Sequence, residues 1–187
     1  MEALLQLDTD LFLYLNGLGS TTWDGFWMFV TGKWNAIPIY IILFILMYKK
    51  LGVKSTVISL VVIALMILIT DRVCTFFKFD LILRQRPCYN LESEVRLVKD
   101  WCGSKGGYFS AHAASSMALA TFVGQLLKSY FKYVVVLLFI WALMVGYSRI
   151  YIGVHYPGDV LTGVVFGITV ALVMLKLNRY LMLRFLK

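Results

Sequence analysis

Residues 55–70 read STVISLVVIALMILIT, sixteen positions without a charge. Such a run is too long for one strand and lacks the alternation of a half-buried one, so it reads as a helix that is apolar all round. Four other segments behave in the same way. The apolar runs cover about 34–48, 55–77, 111–127, 133–148 and 158–178. Each is close to the roughly 20 residues that a helix needs to cross a bilayer. The rest of the chain cannot wrap these helices in a polar surface. Charged residues make up 15% of the 187 positions and the mean hydropathy is +0.80, against about 25% charged in a soluble domain. The expected fold class is all-α: an integral membrane helical bundle with five or six transmembrane helices plus an N-terminal interfacial helix.

Residues 10–33 fit this pattern less well. DLFLYLNGLGSTTWDGFWMFVTGK is aromatic but broken by Asn16, glycines and Asp24. It reads as one or two helices at headgroup level, with a sixth crossing as the alternative. The N-terminus, MEALLQLDTD, is acidic where the start of a signal peptide would be basic, and no small-residue cleavage site follows. The first hydrophobic helix is therefore expected to be retained.

Five spans divide the polar residues between two sides. Segments 49–54, 128–132 and 176–187 hold nine Lys or Arg and no acid. All ten acidic residues and the other nine basic ones fall on the opposite side. The positive-inside rule makes the purely basic side cytoplasmic. Half of the basic residues behind the net charge of +8 are thus topology anchors, and nucleic acid is not an expected partner.

Three polar clusters share the non-cytoplasmic face by helix parity. They are KFDLILRQRP with Lys78, Arg84 and Arg86; GGYFSAH with Ser110 and His112; and SRIYIGVHYPGD with Arg149, His155 and Asp159. Arg86, Arg149 and a nearby Lys offer dense positive charge and forked donors suited to phosphate oxygens. Ser110 stands where a helix would begin, so its first N–H groups would point at an anion. Pro157 suits a first helical position. His155 and Asp159, four residues apart, allow the carboxylate to hold one ring nitrogen and free the other as a nucleophile. His112 is placed to protonate a leaving oxygen. Tyr108, Trp101 and Tyr156 read as belt aromatics, and Asp71 with Arg72 as an interfacial polar pair.

Three cysteines are present, without a CxxC, and the two histidines lie 43 positions apart; no metal site or cofactor is expected. Cys74 reads as a packed core thiol. Cys88 and Cys102 bracket one polar loop, and a disulfide between them is expected if that loop faces an oxidising compartment.

In order and spacing these motifs resemble those of the type-2 phosphatidic acid phosphatase superfamily of integral membrane lipid phosphatases. Ser148, Arg149, His155 and Asp159 match S-R-x5-H-x3-D in full, Ser110-Ala111-His112 matches S-G-H with Ala for Gly, and Arg86-Pro87 matches the end of K-x6-R-P. The resemblance covers roughly residues 70–165. It departs in one place, since seven residues rather than six separate Lys78 from Arg86. Either the helix end absorbs one residue and Lys78 serves, or Arg84 supplies the charge; Lys78 is preferred. The resemblance implies one membrane-embedded domain over 1–187, with N-terminal helices in 1–33 and an extracytoplasmic active-site loop at 78–110. It implies a phosphohistidine formed on His155, oriented by Asp159, with His112 as acid and then base. Lys78, Arg86, Ser110, the Ala111 N–H and Arg149 would hold the phosphoryl oxygens, with Ser148, Arg84 and Pro87 in support. The implied substrate is a membrane lipid phosphate or diphosphate, with undecaprenyl diphosphate first, then phosphatidylglycerol phosphate, phosphatidate or lipid A. Rival readings are a membrane transporter or anion-binding protein and a vanadate-dependent haloperoxidase-like enzyme. The sequence carries no signal for an oligomeric state.

Overall fold

The structure is a computed structural model and describes residues 2–82 and 84–186. Among these residues all regular elements are helical. They are α1 (Glu2–Gly17), α2 (Thr21–Thr31), a 3-10 turn (Trp34–Ala36), α3 (Ile37–Leu51), α4 (Val53–Phe76), a π-turn (Phe77–Leu81), α5 (Pro87–Asn90), α6 (Ala111–Leu127), α7 (Val134–Tyr151) and α8 (Pro157–Phe185).

Four stretches, Trp34–Leu51, Val53–Phe79, Val134–Tyr151 and Pro157–Phe185, are long and apolar enough to cross a membrane. The third expected span, α6, does not reach that length. Its 17 residues rise about 25 Å, short of a hydrocarbon core of about 30 Å. Its composition explains why it needs no lipid-facing surface: AHAASSMALATFVGQLL is rich in Ala and Ser, and 12 of the 17 positions are buried. Helix α6 is the axis of the bundle, packed chiefly against α8 and α7 and also against α4 and α3. Small residues let it approach α8 closely: a Cβ placed on Gly163 would lie 2.6 Å from the Ser110 carbonyl oxygen. Bundles in lipid associate through such small-residue faces, because apolar burial alone gives little between helices there.

The outer surface is apolar, with Ile41, Phe44, Leu68, Leu137, Ile140 and Leu161 all exposed. In water a patch of this size would aggregate; against acyl chains it is a solvated surface. Helix α8 extends through residue 185, past the expected end near 178, and carries the basic tail as helix.

The N-terminal region forms two helices rather than a span, and each packs one face on the bundle. Helix α1 contacts α7 and α8, and α2 contacts α7. Phe12 and Asn16 are buried while Leu4, Leu7 and Tyr14 are exposed. The polar residue that breaks the apolar pattern has a structural task. The Asn16 side chain donates to the carbonyls of Ile150 (3.1 Å), Tyr151 (2.9 Å) and Arg96 (3.1 Å), and accepts from the Arg96 N–H at 2.8 Å. It thereby satisfies carbonyls that the end of α7 leaves open.

Candidate active site

Four helix ends meet at one end of the bundle: the C-termini of α4 and α7 and the N-termini of α6 and α8. Chain direction alone brings the three polar clusters together there.

The α7–α8 turn is set by its sequence. Gly153 adopts φ +84°, the left-handed conformation that ends helices and that other residues adopt at a cost. Pro157 opens α8, and Asp159 Oδ2 accepts from the Tyr156 N–H at 3.0 Å. The N–H groups of Val154 and His155 both point at the Arg149 carbonyl, at 3.1 and 3.3 Å. His155 is 1% exposed, Asp159 0% and Arg149 5%. His155 Nδ1 lies 3.5 Å from Asp159 Oδ2, too long for a good hydrogen bond. That nitrogen and Arg149 Nε are buried without a hydrogen-bond partner. Unsatisfied buried polar atoms are uncommon; His155 Nδ1 is turned toward Asp159, whereas the free Arg149 Nε is a donor that a ligand oxygen could take up. Burial, reinforced by the charges of Arg149, Arg86 and Lys78, holds the His155 imidazole well below its ordinary value. It is therefore neutral at physiological pH, with a ring lone pair available.

Ser110 caps α6, its Oγ accepting from the Ala113 N–H at 3.4 Å, and its own N–H donates to the Asp159 carbonyl at 3.0 Å. The first turn of α6, carrying Ala111 and His112, is thus registered against the first turn of α8. Ser148 is fully buried, and its hydroxyl donates to the Val145 carbonyl at 2.7 Å within α7.

The extra residue of the first motif lies in the helix. The turn at Phe77–Leu81 is a π-helix, which takes up one residue more per turn than an α-helix. Lys78 is half-buried there, and its charge acts on His155 together with those of Arg86 and Arg149. Phe79, at the position that six-residue spacing would give to lysine, is 53% exposed. Arg84 is engaged elsewhere: it pairs with Asp8 at 2.7 Å and with Asp159 at 3.2 Å, and lies 3.9 Å from the centre of the Tyr156 ring.

Arg86 donates to the carbonyls of Cys102 (3.2 Å) and Gly106 (3.3 Å). It thus also pins the 102–106 segment, across which residues 84–86 and 105–107 pair through Arg86 N–H to Lys105 O (3.0 Å) and Gly107 N–H to Arg84 O (2.8 Å). Cys88 and Cys102 are bonded across this loop with Cα atoms 6.1 Å apart, and Pro87 opens the short helix α5.

Several residues here belong to no motif. Thr31 accepts a hydrogen bond from Arg149 Nη1. Asp8 pairs with Arg84. Lys33 lines the same cavity as His112. Lys99 is half-buried, and burial together with the like charges of Arg149, Arg86 and Lys33 pushes its ammonium below its ordinary value. That cavity, about 540 Å³, runs from His112 and Lys33 down between α3, α4, α6 and α7, past Tyr40, Phe44, Leu119 and Trp141. Among the described residues no three His, Cys, Asp or Glu side chains converge as a metal site.

A profile of the PAP2 superfamily matches residues 55–183. The chain belongs to the PAP2 superfamily. It is a multi-pass membrane lipid phosphatase. It is 35% identical over 170 residues to a lipid A 4'-phosphatase of Bacteroides thetaiotaomicron, covering 89% of this chain and 75% of that one. It is 32% identical over 189 residues to a lipid A 4'-phosphatase of Porphyromonas gingivalis, covering 100% and 79%. Among solved structures, Aquifex aeolicus LpxE superposes with a TM-score of 0.68 at 28% identity, over 91% of this chain and 95% of that one. The PAP2-type phosphatidylglycerolphosphate phosphatase of Bacillus subtilis shares the fold, with a TM-score of 0.74 at 17% identity over 96% and 88%.

Proposed function

We propose that this enzyme removes a phosphate monoester from a lipid A-type glycolipid, through a phosphohistidine on His155, at the extracytoplasmic face of the cytoplasmic membrane. The observation that carries the chemistry is the buried, neutral His155, whose Nδ1 faces Asp159, among the charges of Lys78, Arg86 and Arg149, with an unsatisfied Nε donor on Arg149. A phosphoryl group is the ligand such a set fits: a neutral imidazole attacks, and the cations take up the charge that develops on the equatorial oxygens.

In the first step His155 Nε2 bonds to phosphorus as the phosphorus–oxygen bond to the lipid breaks. The charge of the bound phosphate favours the imidazolium form of His112, which gives its proton to the departing oxygen, and Asp159 faces the His155 ring as it becomes cationic. In the second step water attacks phosphorus, His112 takes the proton, the nitrogen–phosphorus bond breaks and orthophosphate leaves. The Ala111 N–H, at the first turn of α6, and Ser110 complete the donor set. Pairing of α6 with α8 keeps acid and nucleophile in fixed register.

Two observations favour a lipid A-type monoester over undecaprenyl diphosphate, the first choice from sequence. Both curated relatives described above carry that activity in their names. Lys33 and Asp71 also line the His112 cavity beside its apolar wall, a combination that suits a polar glycolipid head with acyl chains. The sidedness rests on the charge pattern: Lys49, Lys50, Lys54, Lys128 and Lys132 lie at the helix ends away from His155, as the positive-inside rule places them. The site residues and the treatment of 1–187 as one domain are part of the same proposal.

The test is phosphate release by purified protein in detergent with EDTA present, across lipid A, undecaprenyl diphosphate, phosphatidylglycerol phosphate and phosphatidate. Lipid A is expected to be the best substrate, with full activity in chelator and an acid-labile phosphoenzyme absent from His155→Ala. Preference for the diphosphate would overturn the substrate assignment, and an active His155→Ala would overturn the mechanism. Reporter fusions at residues 52 and 95 should report opposite sides, with 95 outside.

A further inference from the structure

Helix α1 carries Asp8, Phe12 and Asn16 at four-residue spacing, which places them on one helical face. All three reach the α7–α8 turn. Asn16 bonds the carbonyls at the end of α7. Phe12 is fully buried and packs edge-on to Tyr156, with ring centroids 5.3 Å apart. Asp8 uses both carboxylate oxygens: Oδ1 accepts from the Gly158 N–H at 2.7 Å and Oδ2 pairs with Arg84 at 2.7 Å. A Cβ on residue 158 would lie 2.7 Å from Asp8 Oδ2, so a side chain there would push the carboxylate from this position.

The chain of contacts continues inward. Arg84 pairs with Asp159 Oδ1 at 3.2 Å, and Asp159 Oδ2 faces His155 Nδ1 at 3.5 Å. Arg84 is thus shared between a carboxylate from α1 and the one that faces the nucleophile, with 18% of its side chain exposed. The sharing matters because two carboxylates and one guanidinium leave one net negative charge, and that charge faces the imidazole. With Asp8 neutral, the guanidinium would be balanced by Asp159 alone. The ring would then meet an ion pair of no net charge when it becomes cationic on phosphorylation. Attraction between nearby opposite charges in a site shielded from water is strong enough for this to matter.

We infer that Asp8 is a positioning residue for hydrolysis: it shares Arg84 with Asp159, so that Asp159 stays aligned on His155 with its charge available to the ring. The inference rests on the phosphohistidine reading. Asp8 touches neither substrate nor the reacting atoms and acts through Arg84. Its effect therefore belongs to the chemical step rather than to substrate binding, and it disappears once Arg84 carries no charge.

The experiment measures kcat and KM in detergent for wild type, Asp8→Asn, Arg84→Gln, the double variant, Phe12→Ala, Asp10→Asn and His155→Ala, all as monodisperse folded protein. Asp8→Asn keeps the side-chain shape and an acceptor for the Gly158 N–H. It should lower kcat about tenfold with KM within about twofold, in the range seen when an outer partner of a catalytic side chain is lost. The double variant should be no slower than Arg84→Gln, since residues acting through one contact are not additive. Asp10→Asn, on the exposed side of the helix, should match wild type.

Wild-type kcat in Asp8→Asn overturns the inference. So does a double variant in which the two losses multiply, or a Phe12→Ala loss of kcat equal to that of Asp8→Asn, which would make docking of α1 the whole effect. Where Asp8→Asn does not accumulate folded, Asp8→Ser is read by the same criteria. An active His155→Ala would instead sink the phosphohistidine reading, while an inactive one beside a wild-type Asp8→Asn would sink only the role of Asp8.

Discussion

Thr31 of α2 accepts a hydrogen bond from Nη1 of Arg149, 118 residues away on α7. Arg149 is buried and its Nε has no partner, so Thr31 fixes which way the remaining guanidinium donors face. Thr31→Val should leave one buried donor unsatisfied, at about 1–3 kcal/mol of stability, and lower kcat/KM for a lipid phosphate about tenfold, mostly through KM. Thr31→Ser keeps the acceptor and should restore it. Steady-state kinetics with the three proteins decides the matter: a Thr31→Ser as impaired as Thr31→Val would point to lost packing.

The π-turn leaves Lys78 half-buried and Phe79 exposed. Lys78→Ala should reduce kcat/KM at least about 100-fold, as expected when a charge that neutralises a developing phosphoryl oxygen is removed. Phe79→Ala should change it less than about twofold, since that ring is exposed. Similar losses in both variants would return the register question to its starting point.

How much of this could be read in the sequence differs between motif and scaffold. His112, Arg149, His155 and Asp159 were legible because helix parity alone puts their segments at one face. The π-turn was visible only as a one-residue surplus between Lys78 and Arg86, since nothing in FKFDL distinguishes a widened turn from a longer loop. The central helix was legible as apolar because its small residues pass a hydropathy window, but the close helix contact that they provide was not. Asp8, Asn16 and Thr31 went unread for a different reason. They sit in a segment whose pattern is broken by polar residues, and a polar residue in a surface helix acquires meaning only when its distant partner is known. The 8, 12, 16 spacing was present, but the turn it docks on begins 134 residues after Asn16.

Acid should weaken the fold through His155. Its imidazole is held neutral well below its ordinary value of 6.5 by burial and by Arg149, Arg86 and Lys78. The unfolded side chain titrates near that ordinary value, so just below it the unfolded state binds a proton that the folded state does not. Stability is therefore retained above about pH 6.5 and lost as pH falls, by up to about 1.4 kcal/mol per pH unit for this one group. Thermal unfolding in detergent between pH 8 and pH 5 should show a smaller decline in His155→Asn than in wild type. Parallel declines would mean that other groups set the slope.

Reduction should loosen the loop that Arg86 pins. The Cys88–Cys102 bond closes a loop of 14 residues in sequence separation, and closure of such a loop contributes about 3 kcal/mol in the chain-entropy account. Arg86 bonds the Cys102 carbonyl, so freeing that segment also frees the guanidinium. Cys88→Ser, or wild type under reductant, should melt earlier and show a higher KM. An unchanged KM with a lower melting temperature would confine the disulfide to stability.

The cavity between α3, α4, α6 and α7 offers the most direct measure of what lies on the lipid side of the bond that breaks. Leu119 is on its wall and 9% exposed, so Leu119→Trp would fill space that an acyl chain needs while leaving the polar end of the bundle in place. The ratio of kcat/KM for a lipid phosphate to that for a short soluble phosphate ester should fall about tenfold, roughly what the loss of one or two buried methylenes of binding implies. The readout is a ratio, so a general loss of folded enzyme cancels. An unchanged ratio would mean that the chains remain in the bilayer and that the cavity serves another purpose.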